Sequence, residues 1–173
     1  MTVLTPTEIT SKSGMAIVED VLYGADAIVS AWVQSKMGEP PVMVPFQAFA
    51  VMPPDDEGTK KVLAQIENGE PPDFLAGAIF FNHDPGSDIY VTVAADDLRS
   101  AHPRVIRKIL QYPFGQLDLP RISARIHASN KRCIENAVKL GFELEGQKRG
   151  TDWQMWGLQR SKCWVWNNLR EPA

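Results

Sequence analysis

The stretch that decides the fold runs from Arg121 to Gly150 and reads RISARIHASNKRCIENAVKLGFELEGQKRG. Its first residues alternate polar and apolar side chains, which predicts a strand over Arg121–His127. Ser129 or Asn130 then provides an N-cap, and apolar residues follow at helical spacing until Gly141, a residue well suited to end a helix. The stretch therefore predicts a strand followed directly by a helix.

The residues before this stretch predict a second strand that runs parallel to the first. Asp88–Ala95 alternates with a period of two, and Pro103–Leu117 has apolar residues at helical spacing, with a kink expected at Pro113. A helix that connects two strands of one sheet forms a crossover, so Asp88–Ala95 is expected to lie parallel to Arg121–His127. The apolar run Phe74–Phe81, separated from Asp88 by turn residues, predicts an antiparallel partner.

The N-terminal part of the chain carries weaker signals. We expect a flexible tail over 1–14, followed by helical spacing from Ile17 to Met37 that predicts one helix or two helices broken near Gly24. Val44–Met52 predicts a strand. Pro53–Asp73 has proline pairs at both ends and few large apolar residues, so it predicts an exposed insertion with a short helix.

Length and composition are those of one globular domain, 15–173. The 173 residues are 44% apolar and 23% charged, and 18 Lys and Arg against 21 Asp and Glu leave a net charge of −3. This acidic balance disfavours a nucleic-acid partner. Cys133 and Cys163 lack metal-ligand spacing, so no metal is expected, and a reducing cytoplasm fits best. No apolar run has the length of a membrane span, so no membrane partner is expected.

The segment Arg121–Gly150 resembles the GNAT superfamily of acyl-CoA-dependent N-acyltransferases, especially the branch that acetylates protein N-termini and the GNAT-like proteins of phages. In that family a strand ends at an Asn, a helix follows as N-x-x-S/A, and a Gly-Phe pair leads to Glu-Gly. The matching residues here are Asn130, Cys133 in the small-residue place, Gly141-Phe142 and Glu145-Gly146. The order of predicted elements also agrees over roughly Val44–Trp166, including a closing hairpin of 142–145 and 153–158.

The resemblance implies an α/β fold, with a mixed twisted sheet, splayed parallel central strands and helices on both faces. It implies that acyl-CoA lies in the gap between the splayed strands, here between Val91–Val93 and Arg125–His127. The implied function is metal-free transfer of an acetyl or other short acyl group from acetyl-CoA or another acyl-CoA to a primary amine of a protein, peptide or small molecule. The alternative is a GNAT-fold protein that has lost catalysis and acts as a binding or virion-associated component.

The resemblance also implies a set of cofactor contacts. The phosphate loop of the family, R/Q-x-x-G-x-G/A, places its small residues near Leu98 and Ser100, and neither is glycine. Arg99 and Arg104 would instead neutralise the phosphates directly. The expected cofactor contacts are Val91, Val93, Arg99, Ser100, Arg104, Asn130 and Cys133. For Asn130 a purely capping role is the stronger of two interpretations.

The catalytic candidates are His127 and Tyr90. The family often has a Tyr seven residues after the Asn, but that position is Ala137 here. His127 is interpreted either as a base that deprotonates the incoming amine or as a polar residue at a strand end. Tyr90 either lines the acceptor side or faces a helix or solvent. A Cys133 nucleophile is the weaker interpretation beside a small packing residue. A homodimer is compatible with the sequence.

Overall fold

A computed structural model describes residues 14–40, 42–97, 100 and 102–168. Within them the chain forms eight strands and five α-helices. The strands are β1 (Ala16–Val18), β2 (Val21–Tyr23), β3 (Phe46–Val51), β4 (Ala76–Asp84), β5 (Asp88–Ala95), β6 (Arg121–His127), β7 (Glu143–Gln147) and β8 (Trp153–Gln159). The helices are α1 (Asp26–Met37), α2 (Asp56–Glu67), α3 (Pro103–Leu110), α4 (Lys131–Leu140) and α5 (Trp164–Asn168), with a π-helix at Gln111–Gln116 and a 3₁₀ turn at Arg160–Lys162.

All eight strands belong to one sheet in the order β1-β2-β3-β4-β5-β6-β8-β7. The pair β5 and β6 is parallel, and every other neighbouring pair is antiparallel. The expected parallel crossover and the expected hairpins are therefore confirmed. The last strand of the hairpin, β8, lies between β6 and β7, so it separates β7 from the centre of the sheet.

Helices cover both faces of the sheet and bury two separate cores. The face covered by α3, the π-helix, α4 and α5 is called the first face, and the face covered by α1 and α2 is called the second face. Buried residues of the first core include Val105, Phe114, Ile122, Ala137 and Val165, and those of the second include Val29, Val33, Ile79 and Val62. The predicted α/β architecture with helices on both faces is confirmed.

The predicted helix over Ile17–Met37 is wrong in its first part. Residues up to Tyr23 form the antiparallel hairpin of β1 and β2, and the helix begins only at Asp26. Glu19 and Asp20 have φ of 48° and 67°, so two consecutive left-handed residues turn the chain between the strands. Short runs of β-branched residues fit either period, which is why helical spacing misled here.

The predicted helix over Pro103–Leu117 changes type where Pro113 occurs. Regular α-helix ends at Leu110, and a π-helix over Gln111–Gln116 follows. Pro113 has no N–H to donate, and the Leu117 N–H reaches back five residues to the Tyr112 carbonyl at 2.9 Å. The local break predicted at Pro113 is thus a widened turn of helix.

The segment Pro53–Asp73 is mostly exposed, but it contributes to a core. Its helix α2 spans Asp56–Glu67, longer than the short helix predicted. Asp55 caps this helix by accepting from the Gly58 N–H at 2.6 Å, and Val62 is completely buried against the second face. The segment is therefore attached to the sheet by a narrow apolar stripe of α2, in which Leu63 and Ile66 are partly buried beside Val62.

Candidate functional site

The centre of the sheet contains a parallel strand pair that separates along its length. β5 and β6 pair at Tyr90↔Ser123 and Val91↔Ala124. Beyond these positions β5 continues to Ala95 and β6 to His127, and their residues no longer pair with each other. We call the separated part, Thr92–Ala95 with Arg125–His127, the open end, and the part before it the closed end. The gap predicted between Val91–Val93 and Arg125–His127 lies at this open end.

Several of the predicted cofactor contacts lie on the first face around the open end. Val91 and Cys133 are both partly buried against the first core, whereas the Val93 side chain is 48% exposed. Asn130 caps α4 by accepting a hydrogen bond from the Cys133 N–H at 3.2 Å, as the capping interpretation predicts. Burial raises the pKa of the Cys133 thiol, which keeps it protonated at neutral pH and disfavours a nucleophilic role.

The N-terminus of α3 is capped by a residue that the sequence analysis did not single out. The His102 imidazole accepts from the Arg104 N–H at 3.2 Å, and the His102 carbonyl accepts from the Val105 and Ile106 N–H groups. Pro103 has no N–H. The first turn of α3 therefore uses these backbone donors within the protein, which differs from a helix end open to a pyrophosphate.

The remaining predicted phosphate contacts differ in their availability. Ser100 is only 8% exposed and donates its hydroxyl hydrogen to the Asp97 carbonyl at 2.6 Å. Arg104 is exposed at the second residue of α3. Arg99 lies outside the described residues, as does Leu98. Of the predicted phosphate contacts that the structure describes, Arg104 is the one with an exposed cationic side chain.

Tyr90 lies on the second face, opposite to Val91. Its ring packs against Phe81 on β4 with centroids 5.9 Å apart, and it is the register partner of Ser123. The Tyr90 hydroxyl makes no hydrogen bond with any residue that the structure describes. The side chain is partly exposed next to the point where the strands separate.

A polar network crosses the second face at the closed end. Ser123, 4% exposed, donates its hydroxyl hydrogen to Asp88 at 2.5 Å and accepts from Arg121 at 2.9 Å. Arg121 also donates to Glu145 at 2.8 Å, and this hydrogen bond raises the pKa of the guanidinium. Glu145 reaches Arg121 because Gly157 lies between them: a Cβ at Gly157 would overlap the Glu145 carboxylate.

The bulge in the closing hairpin explains why Glu145 points across the sheet. The register of β7 on β8 shifts between Leu144 and Gly146, which leaves Glu145 as the extra residue. The Glu-Gly pair that carried the sequence resemblance thus supplies a bulge residue and its carboxylate. Sequence reasoning missed the network because its members come from strands as distant along the chain as β5 and β7.

A second group of side chains lies on the second face at the open end and consists of Arg125, His127 and Trp153. The His127 Nδ1 accepts from the Ser129 N–H at 3.2 Å and lies 2.7 Å from the Ser129 hydroxyl oxygen. His127 packs edge-on against Trp153 at 5.0 Å, and the Arg125 guanidinium lies over the same Trp ring at 4.5 Å. An Arg125 nitrogen is also 3.7 Å from a Glu39 carboxylate oxygen.

The contacts of His127 bear on its predicted role. Because the Ser129 N–H donates to Nδ1, a neutral imidazole in this arrangement carries its proton on Nε2. A base acting through Nε2 would first have to move that proton and give up the bond to Ser129. The geometry thus supports a role for His127 in holding Trp153, and the base role stays a prediction.

The described residues contain neither a candidate metal site nor a helix that could span a membrane. No cluster of three or more His, Cys, Asp or Glu side chains in this part of the chain could hold a metal ion. None of the described helices is long and apolar enough to cross a membrane.

Comparison with known proteins supports a relation at the level of the fold. No family model and no curated protein matches this sequence. Among solved structures, the chain is similar to spermidine N-acetyltransferase from Vibrio cholerae in complex with CoA and spermine, at 14% identity over 79% of this chain and 88% of that one, with a TM-score of 0.53. A mutant form of the Vibrio cholerae spermidine N-acetyltransferase SpeG is similar at 15% identity over 68% and 66% of the two chains, with a TM-score of 0.51.

These similarities agree with the architecture of the sheet. The sequence resemblance predicted a mixed sheet, helices on both faces and parallel central strands that separate, and the described residues form them, in a sheet of eight strands. Structural similarity at about 15% sequence identity establishes the fold alone, so the chemistry depends on the residues of the site itself. This chain has the fold of the GNAT N-acetyltransferases.

Proposed function

We propose that this protein transfers an acetyl or other short acyl group from acyl-CoA to a primary amine. The observation that carries the proposal is the parallel pair of β5 and β6, which ends at Val91↔Ala124 while both strands continue. Beyond that point, backbone N–H and C=O groups on the facing strand edges are left for a ligand. An extended amide chain, such as the pantetheine arm of CoA, has the donors and acceptors that such edges bind.

The residues around the open end fit an acyl-CoA in part. Val93 offers an exposed apolar side chain, and Arg104 offers an exposed cation for a phosphate. The His102 cap of α3 occupies backbone N–H groups that a pyrophosphate would otherwise use. We therefore expect phosphate binding to depend more on side-chain charge than on helix donors, with Arg99 as the second predicted cation.

Acyl-CoA would supply a thioester carbonyl that is already activated toward amines. In our proposal the chain binds the arm along β5, and a backbone N–H of the open end stabilises the negative charge on the carbonyl oxygen in the transition state. The amine must arrive in its neutral form. Its nitrogen forms the new C–N bond and gives up a proton, while the C–S bond of the thioester breaks and CoA leaves as its thiol. Turnover is therefore expected to rise with pH toward the ordinary pKa of the acceptor amine.

Tyr90 and His127 remain the proposed catalytic side chains, since both lie on the second face beside the separating strands. The Tyr90 hydroxyl, without a hydrogen bond to a described residue, is placed to donate to a ligand. For His127, whose Nδ1 is held by Ser129, we expect His127→Ala to lower kcat by about 10²-fold or less, the low end for a general base. Tyr90→Phe tests the hydroxyl without removing the ring that packs on Phe81.

Calorimetric titration with acetyl-CoA tests the proposal directly. Wild-type protein is expected to bind, and Arg104→Ala to weaken binding by about 1 kcal/mol or more, since charge-assisted hydrogen bonds contribute about 1.5–3 kcal/mol. Arg149→Ala, which removes the same charge from an exposed turn, serves as the control. Absence of binding by the wild-type protein would contradict the proposed function.

The self-capped α3 favours one alternative, a GNAT-fold protein without catalysis that acts as a binding or virion-associated component. The described N–H groups in the first turn of α3 already have acceptors within the protein. The sequence also has no glycine near Leu98 or Ser100, where the resemblance places the small residues of the phosphate loop. Incubation of the protein with acetyl-CoA and a panel of amines, followed by mass spectrometry, separates the two. Acetylated amine supports the enzyme, and binding of acetyl-CoA without any product supports the alternative.

A further inference from the structure

The second face at the open end carries a guanidinium whose hydrogen-bond donors are not used. Arg125 makes no hydrogen bond with any residue that the structure describes, although its side chain has five N–H donors. It is 50% exposed. Its contacts with described side chains are stacking over Trp153 at 4.5 Å and an ion pair with Glu39 at 3.7 Å, which is too long for a hydrogen bond.

The guanidinium is held in place by a chain of contacts. Trp153 supports one face of it, and His127 packs edge-on against the same Trp ring at 5.0 Å. His127 is in turn fixed by two contacts of its Nδ1 with Ser129. An arginine stacked on an aromatic ring loses less side-chain freedom when it binds a ligand, so this cation is preorganised.

Arg125 occupies the position where an acceptor must approach. It directly follows Ala124, the last residue of β6 that pairs with β5, and its side chain lies on the second face with Tyr90. On the first face, the core under α3 and α4 covers Val91, and the exposed Val93 side chain beyond it is assigned to acyl-CoA in the proposed function, so the second face is left for the acceptor. In the proposed function, the thioester lies where the strands separate, and the acceptor amine must reach it there. A substituent next to that amine on the acceptor molecule would then lie beside Arg125.

The charges around Arg125 favour an anion there. At the closed end, Asp88 and Glu145 are already bound by Ser123 and Arg121. The remaining acidic neighbour of Arg125 is Glu39, on the segment after α1. Its carboxylate lies 3.7 Å from the guanidinium and makes no hydrogen bond with it. A carboxylate on a ligand could instead form two parallel N–H···O bonds with the guanidinium, which is the strongest geometry for this pair.

We infer that Arg125 selects acceptor amines that also carry a carboxylate close to the amine, such as amino acids or peptides with an acidic residue near the N-terminus. This inference rests on the proposed function. It assigns Arg125 a direct contact with the acceptor and Trp153 a positioning role. Glu39 occupies the guanidinium in the absence of that carboxylate and competes with it.

Matched acceptor pairs that differ in one carboxylate test the inference. The full-length protein with saturating acetyl-CoA is offered L-phenylalanine and phenethylamine, L-lysine and cadaverine, and β-alanine and ethylamine, compared at equal concentrations of neutral amine. A peptide pair with Asp or Asn at the second position extends the test to peptide acceptors. We expect the carboxylate member of at least one pair to have a kcat/KM about tenfold higher or more, because an unmatched charged group in a binding site is costly.

Variants then show whether Arg125 causes the preference. Arg125→Gln is expected to abolish the preference mainly through KM, and Arg125→Lys to restore part of it, since the charge returns without the planar fork. Glu39→Gln is expected to act in the opposite direction and to lower KM for the carboxylate acceptor. Arg149→Gln is the control for loss of a positive charge. A merely structural role of Arg125 would lower activity toward both members of a pair equally.

The outcomes separate this inference from the proposed function. Turnover of amines without any carboxylate preference, or a preference unchanged in Arg125→Gln, overturns the inference and leaves the proposed function intact. Acetyl-CoA binding with no product from any amine overturns both. If Arg125→Gln does not fold, the opposite shifts expected for Arg125→Lys and Glu39→Gln still decide the question.

Discussion

The two ends of the β5–β6 pair differ in how far the protein satisfies its own polar groups. At the closed end, Asp88, Ser123, Arg121 and Glu145 bind one another across the sheet. At the open end the strands separate, and Arg125 is half exposed with donors that no described residue uses. The same two strands therefore contain a region whose side chains bind one another and a region whose guanidinium donors are left for a ligand. The closed end still has one buried nitrogen, the Arg121 Nε, without a hydrogen-bond partner among the described residues.

This difference indicates how the fold divides stability from binding. A buried polar network stabilises the fold through its paired members and fixes the strands in register, and an unpaired member such as the Arg121 Nε reduces that gain. Groups without partners contribute little to stability, but they are preorganised for a ligand when their neighbours hold them. We expect substitutions at the closed end to change the free energy of unfolding and those at the open end to change binding.

The largest effect on stability is expected from Ser123→Ala. It removes the hydroxyl that joins Asp88 to Arg121, and an unsatisfied buried polar group costs about 1–3 kcal/mol. Urea denaturation measures the loss. Ser129→Ala is the matched control at the open end, where the residue is more accessible and a change within about 0.5 kcal/mol is expected. Equal losses in the two variants would remove the distinction between the ends.

A smaller loss is expected from Gly157→Ala. The new Cβ would overlap the Glu145 carboxylate and lie 2.7 Å from the Arg121 Nη2. Both groups are ends of partly exposed side chains that can move, so the cost is mainly their lost pair, about 1 kcal/mol or less. Gly146→Ala is the control, because no described atom lies within 4 Å of a Cβ at that position. If both glycine variants have the same midpoint of denaturation, Glu145 does not contribute to the closed end.

At the open end, Val93→Thr is expected to leave the stability unchanged within about 0.5 kcal/mol, since this side chain is 48% exposed. The same substitution is expected to weaken acetyl-CoA binding, because it replaces an apolar contact by a hydroxyl. Thermal denaturation and calorimetry measure the two quantities on one sample. A loss of stability comparable with that of Ser123→Ala would show that Val93 belongs to the core.

The smallest effect concerns Cys133 and appears only in alkaline solution. Burial raises the pKa of its thiol, so the unfolded chain loses this proton at lower pH than the folded one. The contribution of the Cys133 thiol to the free energy of unfolding is fully present below the ordinary thiol pKa of about 8.5. It is lost as the pH rises through the raised pKa of this thiol in the folded protein. Cys133→Ala is expected to reduce the decline in unfolding free energy between neutral and alkaline pH.

The buried Cys163 provides the reference for that measurement. Burial also raises its pKa, so part of the alkaline decline is expected to persist in Cys133→Ala. Denaturant titrations at a series of pH values give the slopes of the two proteins. Identical slopes for wild type and Cys133→Ala would mean that Cys133 titrates alike in the folded and unfolded states.

Much of the central fold could be predicted because its signals are local. The alternation of RISARIH, the cap at Asn130 and the stop at Gly141 each depend on residues within one or two turns of chain. The strand β6 has the bounds predicted for it, Arg121–His127. The parallel crossover followed from the order of elements, and the position of the gap from the resemblance.

Other features depended on contacts between distant parts of the chain. Ile17–Val21 has spacing that suits helix or strand, and it becomes a hairpin because β1 pairs with β2 and β2 pairs with β3 of the sheet. The network through Gly157 requires β8 to lie between β6 and β7, and the cap of α3 requires the His102 imidazole to turn back onto the Arg104 N–H. Such features depend on which surfaces are buried together, which no short-range pattern records.

The sequence by itself thus determined the order and type of the central elements and the family of folds. The tertiary structure alone decided which polar groups are satisfied: it pairs Arg121 with Glu145, whereas no described residue accepts from Arg125, although the two arginines are four residues apart on one strand. Local periodicity places both on the same face. Their different roles arise because β5 pairs with the first half of β6 and separates from the second.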